Sequence, residues 1–186
     1  MSQFDTDKLL MFEIASGSTL AFQTIYQKFG SKLFHYFLKM TNQNQQTSED
    51  LLQELFIQIH LNAKKYNPEF QLSTWIYAIA SNLVKNHNRK EINQLRLLSQ
   101  EFVEQEKMEI DNHQVLEKKQ LTDLIYKYAH TIDTDAASML YLRYQEQFQL
   151  SEIAVIMNIP LGTVKSKLHN LTKKIAVKYK IQHHGN

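Results

Sequence analysis

The sequence predicts an all-α protein: two small helical domains joined by a linker. Three observations carry that reading. Only four glycines and two prolines occur in 186 residues, too few for the many turns of an all-β chain. Apolar residues recur at three- and four-residue intervals through most of the chain, as one face of a helix requires. Near the C-terminus, residues 150–175, LSEIAVIMNIPLGTVKSKLHNLTKKI, read as two short helices meeting at a tight corner. With 43% hydrophobic and 22% charged residues the chain is globular rather than disordered.

Residues 4–15 form the first expected helix, with Leu9, Leu10 and Ile14 inward. Ser16-Gly17-Ser18 breaks it, and Ser18 or Thr19 caps the next. Phe22, Ile25, Tyr26 and Phe29 set one apolar stripe; Gly30-Ser31 interrupts or bends it; Leu33, Phe34, Phe37 and Leu38 resume it. Thr41 to Ser48 is a polar loop. Thr47 or Ser48 caps a third helix, whose first turn holds Glu49 and Asp50, where the helix dipole favours acids. Its buried stripe is Leu51, Leu52, Leu55, Phe56 and Ile59. Asp50, Gln53, Glu54, Ile57 and His60 lie elsewhere on the cylinder, and an apolar Ile57 among acids fits a partner surface or a plain solvated face equally. The helix ends near Lys65-Tyr66, and Asn67-Pro68 marks a turn.

Ser73-Thr74 caps a helix beginning at Trp75, with Ile76, Ile79, Ala80 and Leu83 inward. Asn82, Lys85, Asn86 and Arg89 fall at i, i+3, i+4 and i+7, one polar and basic stripe. Asn offers donors and acceptors to a base edge, while Lys and Arg neutralise phosphate. The preceding loop adds Lys64, Lys65, Tyr66 and Phe70, and basic groups among aromatics suit single-stranded nucleic acid. For Trp75 itself, core packing is the preferred assignment. Periodicity fades after residue 91. The chain is divided here into residues 1–95, a linker over 96–120 and a second domain over 121–181. That domain starts with a helix carrying Leu121, Leu124, Ile125 and Tyr128. A turn at Asp133 to Asp135 leads to a helix carrying Ala137, Leu140, Tyr141 and Tyr144.

The corner motif follows. Ser151 is the expected N-cap, with Glu152 in the first turn. Ile153, Ala154, Ile156 and Met157 form the buried side. Asn158 tolerates a left-handed backbone and Pro160 disfavours helix at Ile159. Gly162 and Thr163 open the second helix, where Val164, Leu168, Leu171 and Ile175 make one stripe. Lys165, Ser166, Lys167, His169, Asn170, Lys173 and Lys174 occupy the other face. Such a face suits a major groove, with lysines on phosphates and Ser, Asn and His at base edges; the competing assignment is a hairpin with a solvated lysine face. Residues 153–186 carry six lysines and no acid, whereas 101–123 hold seven acids against three lysines. A basic end beside an acidic middle suggests a polyanion site next to a segment that avoids it.

Absences bound the function. No cysteine occurs, which excludes disulfides and cysteine-ligated zinc. The N-terminus lacks the basic start and apolar core of a signal peptide, and no apolar run approaches membrane-spanning length. A soluble, cytoplasmic chain is expected, with no membrane insertion, no metal and no cofactor. There is no glycine-rich phosphate loop, His-Glu-x-x-His or serine elbow, so no catalytic residue is assigned. The histidines near the C-terminus lack a third ligand at metal spacing and read as a frayed end.

Two stretches resemble one family, the extracytoplasmic-function (group 4) sigma factors of bacterial RNA polymerase. Residues 48–90, SEDLLQELFIQIHLNAKKYNPEFQLSTWIYAIASNLVKNHNRK, are similar to its region 2, with D-L-x-Q-E-x-F and S-T-W-[LI]-Y-x-I-A-x-N elements. Residues 139–175 are similar to region 4, with L-R-Y and P-x-G-T-V-[KR]-S-[KR]-L-H elements. LLMFEIASGSTLAFQTIYQKF resembles the family's opening helix. The resemblance implies a transcription initiation factor that directs core polymerase to promoters, breaks no covalent bond itself and is held in check by an anti-sigma factor. It implies that Asp50, Gln53, Glu54 and Ile57 dock on the β′ clamp, and that the second domain meets the β flap. It implies that Lys64, Asn67, Phe70, Asn82, Lys85, Asn86 and Arg89 read and open the −10 element. Thr163, Lys165, Ser166, Lys167, His169, Asn170 and Lys173 are implied to read the −35 element.

The sequence also departs from the family pattern. Asn158 stands where glycine is usual, and Asn170 where many members have a basic residue. Lysine in place of arginine at 165 and 167 weakens bidentate guanine readout and favours a phosphate role. The alternative reading is a stand-alone helix-turn-helix regulator, which would usually dimerise on a palindrome. A sigma factor is expected to be monomeric when free, or paired with an inhibitor.

Overall fold

The computed structural model describes residues 3–98 and 118–183. Among them there are helices and no strand. In order these are α1 (Gln3–Ala15), α2 (Thr19–Met40), α3 (Gln45–Asn62), a 3-10 turn at Ala63–Lys65, α4 (Leu72–Leu98), α5 (Lys118–Ile132), α6 (Thr134–Tyr144), α7 (Leu150–Met157) and α8 (Leu161–His183). Every described element is helical, so the all-α expectation holds. Helix α4 runs past residue 95, and α5 starts before 121. Between them, residues 99–117 of the expected linker lie outside the described residues. Helix α8 continues to His183, beyond the frayed end expected after Lys178.

Local chemistry explains most boundaries and corrects several. Ser18 caps α2 as expected, its hydroxyl accepting from Ala21 N at 3.2 Å. Gly30 does not interrupt α2; it is buried, and a Cβ there would sit 3.6 Å from the Tyr26 ring. Helix α3 begins earlier than expected, capped by Asn44, whose side chain accepts from Thr47 N at 3.0 Å. Ser48 is instead fully buried and donates to Asn44 O at 2.6 Å. Helix α4 likewise starts ahead of Ser73-Thr74, at Leu72. Asp133 caps α6 through Ala136 N at 3.0 Å. Helix α7 is capped at Gln149, not Ser151; the Glu152 carboxylate accepts from Gln149 N at 2.7 Å. Asn158 ends α7 in the left-handed conformation at φ 52°, where it replaces the usual glycine.

Burial follows the expected stripes with exceptions. Ile25, Leu33, Phe37, Leu55, Ile59, Ile76, Ala80, Leu140, Ile153, Ile156, Val164 and Leu171 are buried. Leu9, Tyr26 and Tyr144 were expected inside and are exposed. Met11, Tyr36, Tyr77, Tyr126, Ala129 and Met139 are buried and outside the expected stripes. For Met11 the cause is packing of α1 on α2, α3 and α4; for Tyr36 and Tyr77 it is the meeting of the two halves, where α2 packs on α5 and α6 and α4 on α7. Both halves of the chain therefore share one continuous core. Among the described residues, no helix is long and apolar enough to cross a membrane.

Candidate nucleic-acid interface

Four surfaces collect the residues singled out by sequence. The first lies on α3. Asp50, Gln53, Glu54 and Ile57 fall at i, i+3, i+4 and i+7 and are all exposed, so they form one face. Ile57 is 46% exposed among acids. Gln46 donates to Asp50 at 3.3 Å and Gln58 to Glu54 at 2.8 Å, which orders the carboxylates along the helix. Beside this face runs a groove of about 650 Å³ between α2 and α3, lined by Phe22, Tyr26, Leu52, Phe56, Ile57 and Leu61 among others. An acidic rim with an apolar floor complements a helix carrying basic and apolar residues.

The second surface is the loop from Lys64 to Gln71. Asn67 accepts from Glu69 N at 3.0 Å, a turn built from its own side chain. Tyr66 donates to Phe70 O at 2.8 Å and packs edge-on against Trp75 with ring centroids 5.6 Å apart. Trp75, half-buried, thus supports the loop from below. Lys64, Asn67 and Phe70 stay exposed on it.

The third surface is the stripe on α4. Asn82, Lys85, Asn86 and Arg89 are all exposed. The opposite face of the same helix buries Ile76, Tyr77, Ala80, Ser81 and Val84, which fixes the stripe's direction. Among the described residues neither Lys85 nor Arg89 enters an ion pair.

The fourth surface is α8. At 3.6 residues per turn, Lys173, Ser166 and His169 lie opposite the Val164–Leu168–Leu171 stripe, flanked by Asn170 and Lys165. All five are exposed. Thr163 is half-buried, and the Ser166 hydroxyl donates to Thr163 O at 3.0 Å.

Lys167 behaves differently. It falls beside Val164 and Leu168, and its ammonium lies 2.8 Å from Asp133 and 3.8 Å from Asp135. Burial pushes the Asp133 carboxyl up, but the Lys167 ammonium and the Ala136 backbone N–H outweigh it and hold the carboxyl below the usual range. Lys167 therefore joins the α6 N-terminus to α8 rather than extending the exposed face. Sequence reasoning missed this tie because Asp133 appeared only as a turn residue.

Comparison with known proteins adds a second line. The description "Sigma-70 region 2" matches residues 25–92 and "Sigma-70, region 4" matches residues 124–175. The chain is 26% identical over 166 residues to the ECF RNA polymerase sigma factor SigW of Bacillus subtilis, covering 84% of this chain and 88% of that protein. It is 23% identical over 183 residues to the ECF RNA polymerase sigma-E factor of Escherichia coli K12, covering 94% and 95%. Its fold is similar to that of CnrH, solved in complex with the cytosolic domain of CnrY, with TM-score 0.69 and 15% identity over 95% of this chain and 99% of that one. It is also similar to that of the sigma factor RpoE of Bartonella quintana, solved with the anti-sigma factor NepR, with TM-score 0.67 and 16% identity over 86% and 97%.

Proposed function

The chain belongs to the extracytoplasmic-function group of the sigma-70 family, and from that premise we propose that it binds core RNA polymerase and directs it to promoters. The observation that supports this best is the pairing of both family regions, in order, with two exposed polar and basic helix faces. One lies on α4 and the other on α8.

In this reading residues 1–95 are the region 2 domain, 96–120 the linker and 121–181 the region 4 domain. Asp50, Gln53, Glu54 and Ile57 dock on the β′ clamp, and the region 4 domain meets the β flap. Lys165, Ser166, His169, Asn170 and Lys173 hold the duplex at the −35 element, with Thr163 at the start of that helix. Lysines neutralise phosphates while Ser, His and Asn meet base edges. Lys167 acts through Asp133, holding α8 against the N-terminus of α6. At the −10 element, Lys85 and Arg89 hold the backbone, and Asn82 and Asn86 meet bases. Lys64, Asn67 and the exposed Phe70 ring receive bases that leave the stack, offsetting an unstacking cost of about a few kcal/mol per base.

The protein works in the cytoplasm and lends specificity to an enzyme without being one. An anti-sigma factor restrains it, as the solved complexes of its structural neighbours suggest by analogy. Run-off transcription with core polymerase and genomic fragments tests the proposal. Discrete starts sharing upstream sequence pairs are expected. DNA binding by the protein alone, with no start on any fragment, would favour an independent helix-turn-helix regulator.

A further inference from the structure

Helix α1 contributes no residue to the four surfaces described above, and the matched region 2 begins only at residue 25. Yet α1 packs on α2, α3, α4 and the 3-10 turn at Ala63–Lys65, the turn that opens the loop running to Gln71. Asp7, Met11 and Ile14 fall at i, i+4 and i+7, so they share one face of α1. Met11 and Ile14 are buried there, and Asp7 is only 8% exposed. An acid on the packed face of a helix, rather than on its wet face, needs its charge paired. The Asp7 carboxylate accepts from the Lys28 ammonium of α2 at 2.6 Å.

The same carboxylate acts on the loop. Burial first, and then the Asp7 charge, push the Tyr66 phenol above its ordinary value of 10. The phenol therefore stays a donor. It holds Phe70 O at 2.8 Å, and its ring rests edge-on against Trp75. We propose that Asp7 is a positioning residue for the −10 loop. Its pairing with Lys28 fixes α1 on α2, and α1 holds the turn at Ala63–Lys65 so that Tyr66 and Phe70 keep the shape that receives an unstacked base. Asp7 itself touches no DNA. A loop that receives a base gains by being held beforehand, because ordering it on arrival subtracts from the binding that offsets unstacking. The function of the loop rests on the promoter-reading role proposed above; the tie between α1 and the loop does not.

Trp75 is the chain's one tryptophan, so its fluorescence reports on the loop directly. Asp7→Asn keeps the side chain's shape and removes its charge. It is expected to raise acrylamide quenching of Trp75, and the charge swap Asp7→Lys with Lys28→Asp is expected to bring quenching back towards the parent value. Lys28→Gln breaks the same pair from α2 and guards against an Asp7→Asn variant that fails to fold. In complex with core polymerase, Asp7→Asn is expected to bind a single strand carrying the mapped −10 element roughly tenfold more weakly, the worth of one hydrogen bond to a charged group. Affinity for core and for −35 duplex stays at the parent value, and the swap regains the strand. Unchanged quenching in Asp7→Asn and Lys28→Gln would overturn the proposal. So would strand binding equal to the parent's, or a loss of strand binding matched by an equal loss for core or duplex, as a merely structural pair would give. Quenching needs neither polymerase nor DNA, so it decides the tie by itself, whereas a parent protein that binds no strand counts against the sigma reading alone.

Discussion

Helices α4 and α8 present exposed polar and basic faces of the same kind, yet they are anchored differently. The inner side of α4 is buried along Tyr77, Ala80, Ser81 and Val84, with Tyr77 against Phe148 and Ser81 against Met157. Its stripe of Asn82, Lys85, Asn86 and Arg89 is left wholly to solvent. Helix α8 is anchored along Val164, Leu168 and Leu171 and again by the Lys167–Asp133 pair. Of two helices with similar patterns of lysine and asparagine, one keeps all its expected contacts outward and the other diverts a lysine to hold its own orientation. A basic residue on a reading helix is thus assigned by what stands opposite it, not by its charge.

Ile76 is fully buried on α4. Ile76→Ala should cost about 2–5 kcal/mol of stability, seen as a lower denaturant midpoint. An Asn82→Ala change on the exposed face should leave that midpoint nearly unchanged. Next in size, Lys85→Ala with Arg89→Ala should cut run-off transcription strongly while leaving −35 duplex binding intact.

The contrast sharpens within α8. Lys165→Ala and Lys173→Ala should each weaken duplex binding and lower its salt slope by about one. Lys167→Ala should leave the slope unchanged and lower the melting temperature, because it strands the Asp133 carboxylate. A slope that falls equally for Lys167→Ala would return that residue to the DNA face.

The smallest expected effect is a pH dependence. His130 of α5 is largely buried, and its Nε2 has no hydrogen-bond partner among the described residues. Burial holds its imidazole below the ordinary value of 6.5, against the opposing pull of Glu91. The unfolded chain then binds more protons as pH falls through 6.5, so stability is full above that value and declines below it. Melting temperatures between pH 7.5 and 5.5 should show the decline, and His130→Leu should flatten it.

The stripe on α4 was legible in the sequence because its four polar residues obey the helical period, and the corner between α7 and α8 because the stop signals at Asn158 and Pro160 are local. Lys167 was not, since its partner lies 34 residues away and the period alone puts it at the edge of the face. Tyr36, Tyr77 and Met139 escaped for a related reason. Each falls outside its helix's expected stripe, and Tyr36 and Tyr77 are buried where the two halves of the chain meet. The caps at Asn44 and Gln149 were misplaced because Thr47 and Ser48, about one turn on, rank close to Asn44 as caps, and Ser151 ranks above Gln149. Tyr144 fitted its stripe, but α6 ends there and the ring leaves the core.

The most direct test of the account is start-site mapping with core polymerase on one template, using the parent protein, the Lys85→Ala/Arg89→Ala variant and the Lys165→Ala/Lys173→Ala variant. A single start that requires the parent protein, and that either pair of changes weakens, is the predicted result. A start indifferent to both pairs, or no start despite stable binding to core, would contradict it.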